Sequence, residues 1–204
     1  MKNYQIKSNL KYLSNNPMSN FLINNFNNNV KSIINKLSFN SILDVGCGEG
    51  VILQILKKEL QDKKCVGIDL DTIHVKMSAS NAPFCNYNIA TIYSLPFKDN
   101  SFETVLCLEV LEHLEFLEKA IQELKRVSFK NILISVPREP IWRFLNMVRL
   151  KYLSDLGNTS GHINHWTSRS IFFLLKKYFK INKIRKPLPW TMILCENKFI
   201  RDTI

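Results

Sequence analysis

Between residues 41 and 137, short segments of apolar residues alternate with segments in which apolar residues recur every three or four positions. The first pattern is typical of buried parallel strands, and the second of amphipathic helices. A chain that alternates between them forms β-α-β units, so we predict an α/β fold. The strands are predicted at 41–45, 64–69, 103–109 and 131–136, with a weaker one within 84–92, and the helices at 51–60, 72–80 and 114–127.

The flanking segments extend this domain. Residues 1–40 are predicted to form an N-terminal helical cap, and residues 41–204 the main domain, in which 138–166 is an insertion on the substrate side. Two more strands, at 181–185 and 190–195, complete a doubly wound, mostly parallel, seven-stranded sheet in a single domain. The apolar face of the cap is predicted to contain Phe21, Leu22, Phe26, Val30, Ile33, Ile34 and Leu37, and that of a last helix capped by Thr167 to contain Ile171, Leu174, Leu175, Tyr178 and Phe179.

The composition is typical of a globular protein and argues against membrane-spanning, secreted and disulfide-rich proteins. The chain has 204 residues, of which 46% are hydrophobic, so it is long enough for one domain with a real core. No apolar run is long enough to span a membrane, and the first residues lack the apolar region of a signal peptide. The five cysteines include no C-x-x-C pair, so we expect neither a disulfide framework nor a zinc site, and a reducing cytoplasm as the location.

Charge is distributed unevenly along the chain. The net charge of +11 divides into +5 for residues 1–41, −3 for 42–137 and +9 for 138–204. Basic flanks suggest an anionic partner, such as a phosphorylated substrate, an acidic lipid surface or RNA. The alternative is that the lysines only keep the protein soluble. No DNA partner is predicted.

A glycine-rich loop follows the first predicted strand. In the segment DVGCGEG, residues Gly46, Gly48 and Gly50 allow a sharp turn and a close approach of the backbone to a ligand. Asp69 ends the second strand, where an acid can accept hydrogen bonds from ribose hydroxyls. A dinucleotide usually requires G-x-G-x-x-G, whereas this loop has G-x-G-x-G and two acids, Asp44 and Glu49, that repel a pyrophosphate. The acids suit a ligand with an ammonium and a sulfonium group, so S-adenosylmethionine is favoured over a dinucleotide.

These segments resemble the class I S-adenosylmethionine-dependent methyltransferases. The resemblance covers residues 41–137, through SILDVGCGEG, CVGIDL, LPFKDNSFETVLCLEVLEHL and NILISVP, and is greatest to the type 11, small-molecule branch that includes the ubiquinone and menaquinone methyltransferases. It implies a Rossmann-like fold with S-adenosylmethionine as cofactor. It also implies cofactor contacts at Asp44, Gly46, Cys47, Gly48, Asp69, Leu70, Thr91, Ile92, Leu108 and Glu109.

One position departs from the family pattern. Members often have Asp four residues before the Leu of LPF, where it binds the adenine amino group, and this chain has Thr91 there. Thr offers a neutral, weaker acceptor, or leaves the contact to the backbone of Ile92. We therefore expect reduced cofactor affinity.

Candidate catalytic groups lie at the end of the fourth strand, in EVLEHL. If the acceptor is a poor nucleophile such as a hydroxyl, a base is needed, and Glu109 and His113 are candidates together with Glu112. These three residues also match the E-x-x-E-H pattern of the ubiquinone O-methyltransferases, which implies a hard divalent cation as an open alternative, although no metal is predicted outright. A further alternative is that Glu112 and His113 only cap the next helix.

A second candidate cluster lies in the predicted insertion, in GNTSGHINHW. His162 and His165 are predicted to orient or deprotonate the acceptor, and Trp166 to form a wall of its pocket. Alternatively, the histidines hold a tight loop by bonding backbone groups. Two histidines without a third ligand are a weak metal signal.

The residues before that loop are mostly apolar, with a narrow polar stripe of Arg143, Asn146 and Arg149 within Ile141–Leu153. This pattern suits a helix at a membrane surface or a lid over a substrate, with Arg143 contacting the acceptor, and core packing is the alternative. An apolar pocket with a cationic rim that also includes Lys7, Lys11, Lys31 and Lys36 would suit a lipid-linked or phosphorylated acceptor.

The sequence therefore predicts a methyltransferase acting on a small-molecule or lipid-linked acceptor, with possible sites of methylation on O, C or N. An RNA methyltransferase is one alternative, because of the basic flanks. A catalytically inactive, cofactor-binding regulatory protein is another, and a dinucleotide reductase is a third. The predicted location is cytoplasmic, with peripheral membrane contact as an option.

Overall fold

The computed structural model describes residues 16–148 and 155–197. A seven-stranded sheet lies at its centre, in the order β3-β2-β1-β4-β5-β7-β6. Strands β1 to β5 are parallel to one another, and β7 runs antiparallel to β5 and β6. The predicted doubly wound, mostly parallel fold is confirmed. The strands are β1 (Ser41–Val45), β2 (Lys64–Asp69), β3 (Asn86–Ile89), β4 (Phe102–Leu108), β5 (Ser128–Pro137), β6 (Phe179–Arg185) and β7 (Trp190–Asn197).

Helices cover both faces of this sheet and bury two apolar layers. They are α1 (Pro17–Ile34), α2 (Val51–Ile55), α3 (Thr72–Asn81), α4 (Leu117–Val127), α5 (Ile141–Val148) and α6 (Ser168–Lys176), with a 3₁₀ helix at Leu111–His113. One layer contains Ile121 and Leu124 of α4 with Ile171 and Leu175 of α6. The other contains Leu22, Phe26 and Val30 of α1 with Leu53 of α2.

Helix α1 forms the part of the predicted cap that the structure describes. Asn16 begins it, because its side chain accepts a hydrogen bond from the backbone of Met18 and Pro17 follows. The helix buries most of the predicted apolar face, but Phe21 is 63% exposed, so its assignment to that face was wrong. Arg185 of β6 donates to Asn29, which joins α1 to the edge strand of the sheet. Residues 1–15, including Lys7 and Lys11, lie outside the described residues.

Two helices are shorter than predicted. Helix α2 ends at Ile55 rather than at residue 60, and α4 begins at Leu117 rather than at residue 114. Phe116 precedes α4 and no side chain caps that helix, so Glu112 and His113 do not act as its caps. Thr167 caps α6 as predicted, by accepting a hydrogen bond from the backbone of Ser170.

The cysteines contradict the expectation of a chain without disulfides. Cys65 and Cys85 are bonded to each other. The parallel register of β2 and β3 explains this disulfide bond. Val66 lies beside Asn86, so Cys65 and Cys85, which precede them, are also neighbours. The bond closes a loop with a sequence separation of 20, which contains most of β2 and all of α3.

Reducing this bond is expected to lower the free energy of unfolding by about 3 kcal/mol, because a loop of this length is constrained in the unfolded chain. Thermal unfolding with and without a dithiol reductant measures the effect. The double variant Cys65→Ala/Cys85→Ala is the control, since its melting temperature should not respond to the reductant. An unchanged melting temperature in the native chain, with five titratable thiols before reduction, would contradict the bond.

Candidate functional site

The glycine-rich loop joins β1 to α2 at the carboxyl end of the sheet. Gly46 has a φ of 78°, and a Cβ there would lie 2.5 Å from Cγ2 of Val110. Gly50 has a φ of 76°, and a Cβ there would lie 3.0 Å from Cα of Ser78. A side chain at either position would therefore displace a neighbouring element, which explains the glycines that the sequence places there.

Backbone hydrogen bonds hold the loop against the end of β2. The amides of Gly46 and Cys47 donate to the carbonyl of Ile68, at 2.8 and 2.9 Å. The amide of Gly48 donates to Oδ2 of Asp69 at 2.9 Å, and Oδ1 of Asp69 accepts from the amide of Asp71 at the same distance. Asp69 thus joins the glycine loop to the loop after β2.

Helix α3 supports the glycine loop from behind. The hydroxyl of Ser78 donates to the carbonyl of Gly48 at 2.6 Å, and the side-chain amide of Asn81 donates to the carbonyl of Glu49 at 2.8 Å. Sequence reasoning missed both residues. The only available signal was their spacing of three along one helix, next to a buried strand.

These contacts leave few backbone amides of the glycine loop available to a ligand. Helix α2 has five residues, and the amides of Gly46, Cys47 and Gly48 already donate within the protein. A pyrophosphate needs such donors, so the geometry weighs against a dinucleotide.

A cavity of about 480 Å³ opens beside the loop, within the size range of small-molecule sites. It extends from β2 and the end of β3, past the glycine loop, to the end of β4, with Phe26 of α1 also lining it. All ten predicted cofactor contacts line this one cavity. They are Asp44, Gly46, Cys47, Gly48, Asp69, Leu70, Thr91, Ile92, Leu108 and Glu109.

The cavity is acidic. Four carboxyl side chains line it, and none of the described lining residues is a lysine or arginine. Burial, with the nearby charge of Asp69, raises the pKa of Asp44 from 3.8 to about 7. A bound cation would stabilise the carboxylate and lower that pKa, so the residues fit a ligand with sulfonium and ammonium groups. The four acids are Asp44, Glu49, Asp69 and Glu109.

The side chain of Cys47 packs between α3 and β2. Its Sγ lies 3.6 Å from the hydroxyl of Ser78 and would be 3.0 Å from a Cβ on Gly67. Burial and the charge of Asp44 raise the pKa of the Cys47 thiol to about 12. Only its neutral form is present near pH 7, and its contribution to the cavity is structural.

Leu70 and Thr91, two of the predicted cofactor contacts, line the cavity where β2 and β3 end. Leu70 is 71% exposed and lines the cavity, so its side chain can cover a flat ring. The hydroxyl of Thr91 accepts a hydrogen bond from the amide of Tyr93 at 3.3 Å, which fixes its orientation within a turn.

Glu109 occupies a special position at the end of β4. Its φ is 60°, in the left-handed region that non-glycine residues adopt only infrequently. Its Oε1 accepts from the hydroxyl of Ser135 at 2.9 Å, and its Oε2 accepts from Nε1 of Trp190 at 2.6 Å. Sequence reasoning missed Ser135 and Trp190. These two bonds orient the carboxylate, and they compete with the roles of base and metal ligand predicted for it.

Glu112, His113 and His162 converge at the edge of the cavity. One ligand atom from each lies within 4.8 Å of those of the other two. Glu112 is 1% exposed and His162 is also buried, whereas His113 is exposed and lines the cavity. The rings of His113 and His162 are 4.8 Å apart. The structure therefore joins the two segments in which the candidate histidines were predicted.

The other predicted residues of the insertion lie elsewhere. Nδ1 of His165 is 3.7 Å from Oε1 of Glu139, and His165 does not line the cavity. Trp166 packs in the apolar layer beneath α4 and α6, because it is bridged to Arg138 at the end of β5. Its predicted role as a wall of the pocket is not supported by this position, and Arg143 does not line the cavity either.

Helix α5 is packed against the loop that follows it. Asn146, predicted in an exposed polar stripe, is buried and donates to the carbonyl of Gly157 at 2.9 Å. Apolar Phe144 is instead 61% exposed. Asn146, in the predicted polar stripe, therefore faces the protein and not solvent. Arg149 and Leu153, at the end of the predicted segment Ile141–Leu153, lie outside the described residues.

The predicted cationic rim is not supported either. Lys31 pairs with Glu59 at 3.4 Å, and neither Lys31 nor Lys36 lines the cavity. Among the residues the structure describes, no helix is both long and apolar enough to cross a membrane.

Comparisons with known proteins agree with this geometry. Residues 43–131 match a family described as "Methyltransferase domain". The ubiquinone biosynthesis O-methyltransferase of Rickettsia bellii is 36% identical over 111 residues, which cover 52% of this chain and 45% of that protein. The ajmaline N-methyltransferase of Rauvolfia serpentina is 33% identical over 95 residues, covering 43% of this chain and 32% of that protein. The chain spans less than half the length of these curated relatives.

A solved structure supports the fold over most of the chain. The magnesium protoporphyrin IX methyltransferase of Synechocystis, determined with bound S-adenosylhomocysteine, superposes with a TM-score of 0.66 and 17% identity. The match covers 89% of this chain and 88% of that one. Residues 43–131 are therefore similar to a known methyltransferase domain, and the chain has the same fold as this S-adenosylmethionine-dependent enzyme structure.

Proposed function

We propose that this protein transfers a methyl group from S-adenosylmethionine to a small-molecule acceptor that is neutral or cationic. The observation that carries the proposal is the acidic cavity that extends from Asp69 to Glu109. Its carboxylates suit a cationic methyl donor, and the same carboxylates oppose a phosphate or carboxylate on the acceptor.

Each part of the cavity has a distinct task in this proposal. Asp69 accepts hydrogen bonds from the ribose hydroxyls, and Leu70 covers the adenine. The backbone of the glycine loop approaches the methionine part, with Asp44 as the buried counter-charge beneath it. When bound, S-adenosylmethionine supplies a methyl group on a positively charged sulfur, ready for in-line displacement.

The protein's remaining work is alignment and proton transfer. Glu109 is fixed by Ser135 and Trp190, so it forms a rigid border at the methyl end. His113 lies beside it on the cavity wall and is the group best placed to accept the proton that an acceptor hydroxyl or ammonium loses. Holding donor and acceptor in line supplies much of the rate enhancement in such a reaction.

The names of two relatives support a small-molecule acceptor. One acts as a ubiquinone biosynthesis O-methyltransferase and the other as an ajmaline N-methyltransferase. These acceptors differ in the atom that is methylated, so phenols and amines are the two classes to compare first. The lipid-linked anionic acceptor and the RNA alternative have no matching cationic wall among the described residues of the cavity.

The test measures transfer of a labelled methyl group from S-adenosylmethionine to catechols, alkyl amines, their carboxylated analogues and a short RNA. We expect turnover with members of the first two classes and at least about 10-fold less with the carboxylated analogues, because each adds a negative charge to an acidic site. Turnover with RNA alone would overturn the acceptor class. Binding of S-adenosylhomocysteine without turnover on any acceptor would favour the inactive regulatory protein.

Replacing Thr91 with aspartate should raise the affinity for S-adenosylhomocysteine about 5-fold. A carboxylate is a stronger acceptor for the adenine amino group than a hydroxyl is, by about 1 kcal/mol. Calorimetric titration of the Thr91→Asp variant measures the gain. Thr91→Ser keeps the hydroxyl and should bind as the native chain does, so equal affinity of all three proteins would remove Thr91 from the cofactor site.

A further inference from the structure

We propose that Glu112, His113 and His162 form a binding site for a divalent transition metal. One candidate ligand atom from each residue lies within 4.8 Å of the other two, so an ion placed among them would be close to all three. The carboxylate and one imidazole come from the 3₁₀ helix after β4, and the second imidazole from the loop 49 positions further along the chain.

The backbone around the cluster is held in place without a metal. The amides of Ile163 and Asn164 both donate to the carbonyl of Glu112, at 2.9 and 3.0 Å. The side-chain amide of Asn164 donates to the carbonyls of Leu111 and Leu114, at 3.2 and 2.6 Å. Four hydrogen bonds thus fasten the loop to the 3₁₀ helix, and the ligands are brought together by the fold.

The imidazoles are also oriented as metal ligands usually are. Nδ1 of His113 lies 2.8 Å from the carbonyl oxygen of Gly161. Because Nδ1 donates its proton to that oxygen, Nε2 is the ring nitrogen whose lone pair can coordinate a metal. The ring of His162 stacks on Trp142, at 5.9 Å between centroids, and Nε1 of Trp142 donates to the hydroxyl of Thr159. Both rings therefore have a partner that limits their rotation.

The ligand types determine which ions the site prefers. Two imidazoles and one carboxylate suit Zn²⁺, Co²⁺ or Fe²⁺, whereas Mg²⁺ and Ca²⁺ prefer oxygen ligands. This set differs from the hard-cation set that the resemblance implied, because Glu109 is held by Ser135 and Trp190 and His162 takes its place.

Three protein ligands leave a coordination position for another molecule. His113 lines the cavity, so that position lies on the side where the acceptor would enter. Under the proposed function, an acceptor oxygen or nitrogen bound there would lose its proton to solvent more readily. In the metal-bound protein the ion then takes over the role given to His113, because Nε2 of His113 coordinates the ion instead of accepting the proton. The metal site itself does not depend on that function.

The experiment uses the full chain, freed of metal with a chelator. Co²⁺ is added and its visible absorption recorded, and Zn²⁺ binding is measured by calorimetry. The native chain should bind one equivalent, and His162→Ala should weaken binding about 100-fold or more. His165→Ala is the matched control, because His165 is close by and outside the cluster, and it should bind as the native chain does.

A second variant distinguishes the loss of a metal ligand from a loss of folding. His162 is buried, but His113 is exposed, so His113→Ala should keep the native melting temperature and lose Co²⁺ binding to the same degree. Absence of Co²⁺ and Zn²⁺ binding by the native chain, or binding by His162→Ala equal to that of the native chain, overturns the proposal. Titration of the same samples with S-adenosylhomocysteine tests the proposed function separately.

Discussion

The variant Asp69→Asn is expected to bind S-adenosylhomocysteine about 100-fold more weakly than the native chain. The carboxylate of Asp69 is the acceptor for the ribose hydroxyls in the proposed complex, and hydrogen bonds to a charged group contribute about 1.5–3 kcal/mol each. The amide group of asparagine would also face the backbone amide of Gly48 or Asp71, each of which donates to Asp69. Calorimetric titration gives the dissociation constants.

A neighbouring acid provides the control for this variant. Asp71 accepts from the amide of Ile73 at the start of α3, and asparagine caps helices equally well. It does not line the cavity, so Asp71→Asn should bind the ligand as the native chain does. Equal affinities for Asp69→Asn and the native chain would place the ribose elsewhere.

The affinity for S-adenosylmethionine is expected to fall as the pH is lowered through 7, by up to about 10-fold for each pH unit. Burial and the charge of Asp69 raise the pKa of Asp44 to about 7 in the ligand-free protein. A cationic ligand prefers the ionised form, so below that pKa its binding must first remove a proton from Asp44. Titrations between pH 5 and pH 8 measure the slope.

Asp44→Asn should bind S-adenosylmethionine with lower affinity than the native chain at pH 8, and its affinity should depend much less on pH.

The contribution of Asp44 to folding stability changes with pH in the opposite direction to its contribution to ligand affinity. The folded chain holds a proton that the unfolded chain releases near pH 4, so this group's contribution to stability falls as the pH rises from 4 to 7. A native chain whose affinity is constant down to pH 5 would show that Asp44 does not act as the counter-charge.

Local patterns were sufficient to predict the parallel strands of the sheet and the edge at which the glycine loop and Asp69 meet. The strands β1 and β2 begin and end as predicted, because each is a short apolar segment bounded by polar or glycine residues. The carboxyl ends of parallel strands meet at one edge, so the glycine loop and Asp69 had to be neighbours once the fold was known. Their hydrogen bond at 2.9 Å follows from that topology.

Contacts between distant segments were not predictable from the sequence. Trp190 reaches Glu109 across 81 positions because β7 inserts between β5 and β6, which no local pattern encodes. Cys65 and Cys85 meet because of the register between β2 and β3. Trp166 was assigned to the pocket through its neighbours in the sequence, but its bridge to Arg138 places it in the core.

Total charge was also a poor guide to the site. The chain has a net charge of +11, yet the described part of the cavity has four carboxyl groups and no lysine or arginine. Lysines are distributed over exposed helices and the edge strand β6, where solvent screens them. The electrostatics of a cavity depend on which strand ends surround it, and the fold decides that.

A crystal structure of the chain grown with S-adenosylhomocysteine would show whether the cavity binds this ligand and in which orientation. We predict the ribose hydroxyls within hydrogen-bond distance of Asp69, the adenine against Leu70, and the sulfur beside the glycine loop, facing Glu109 and His113. A ligand bound at any other surface, or a cavity still without ligand at saturating concentration, would contradict the account.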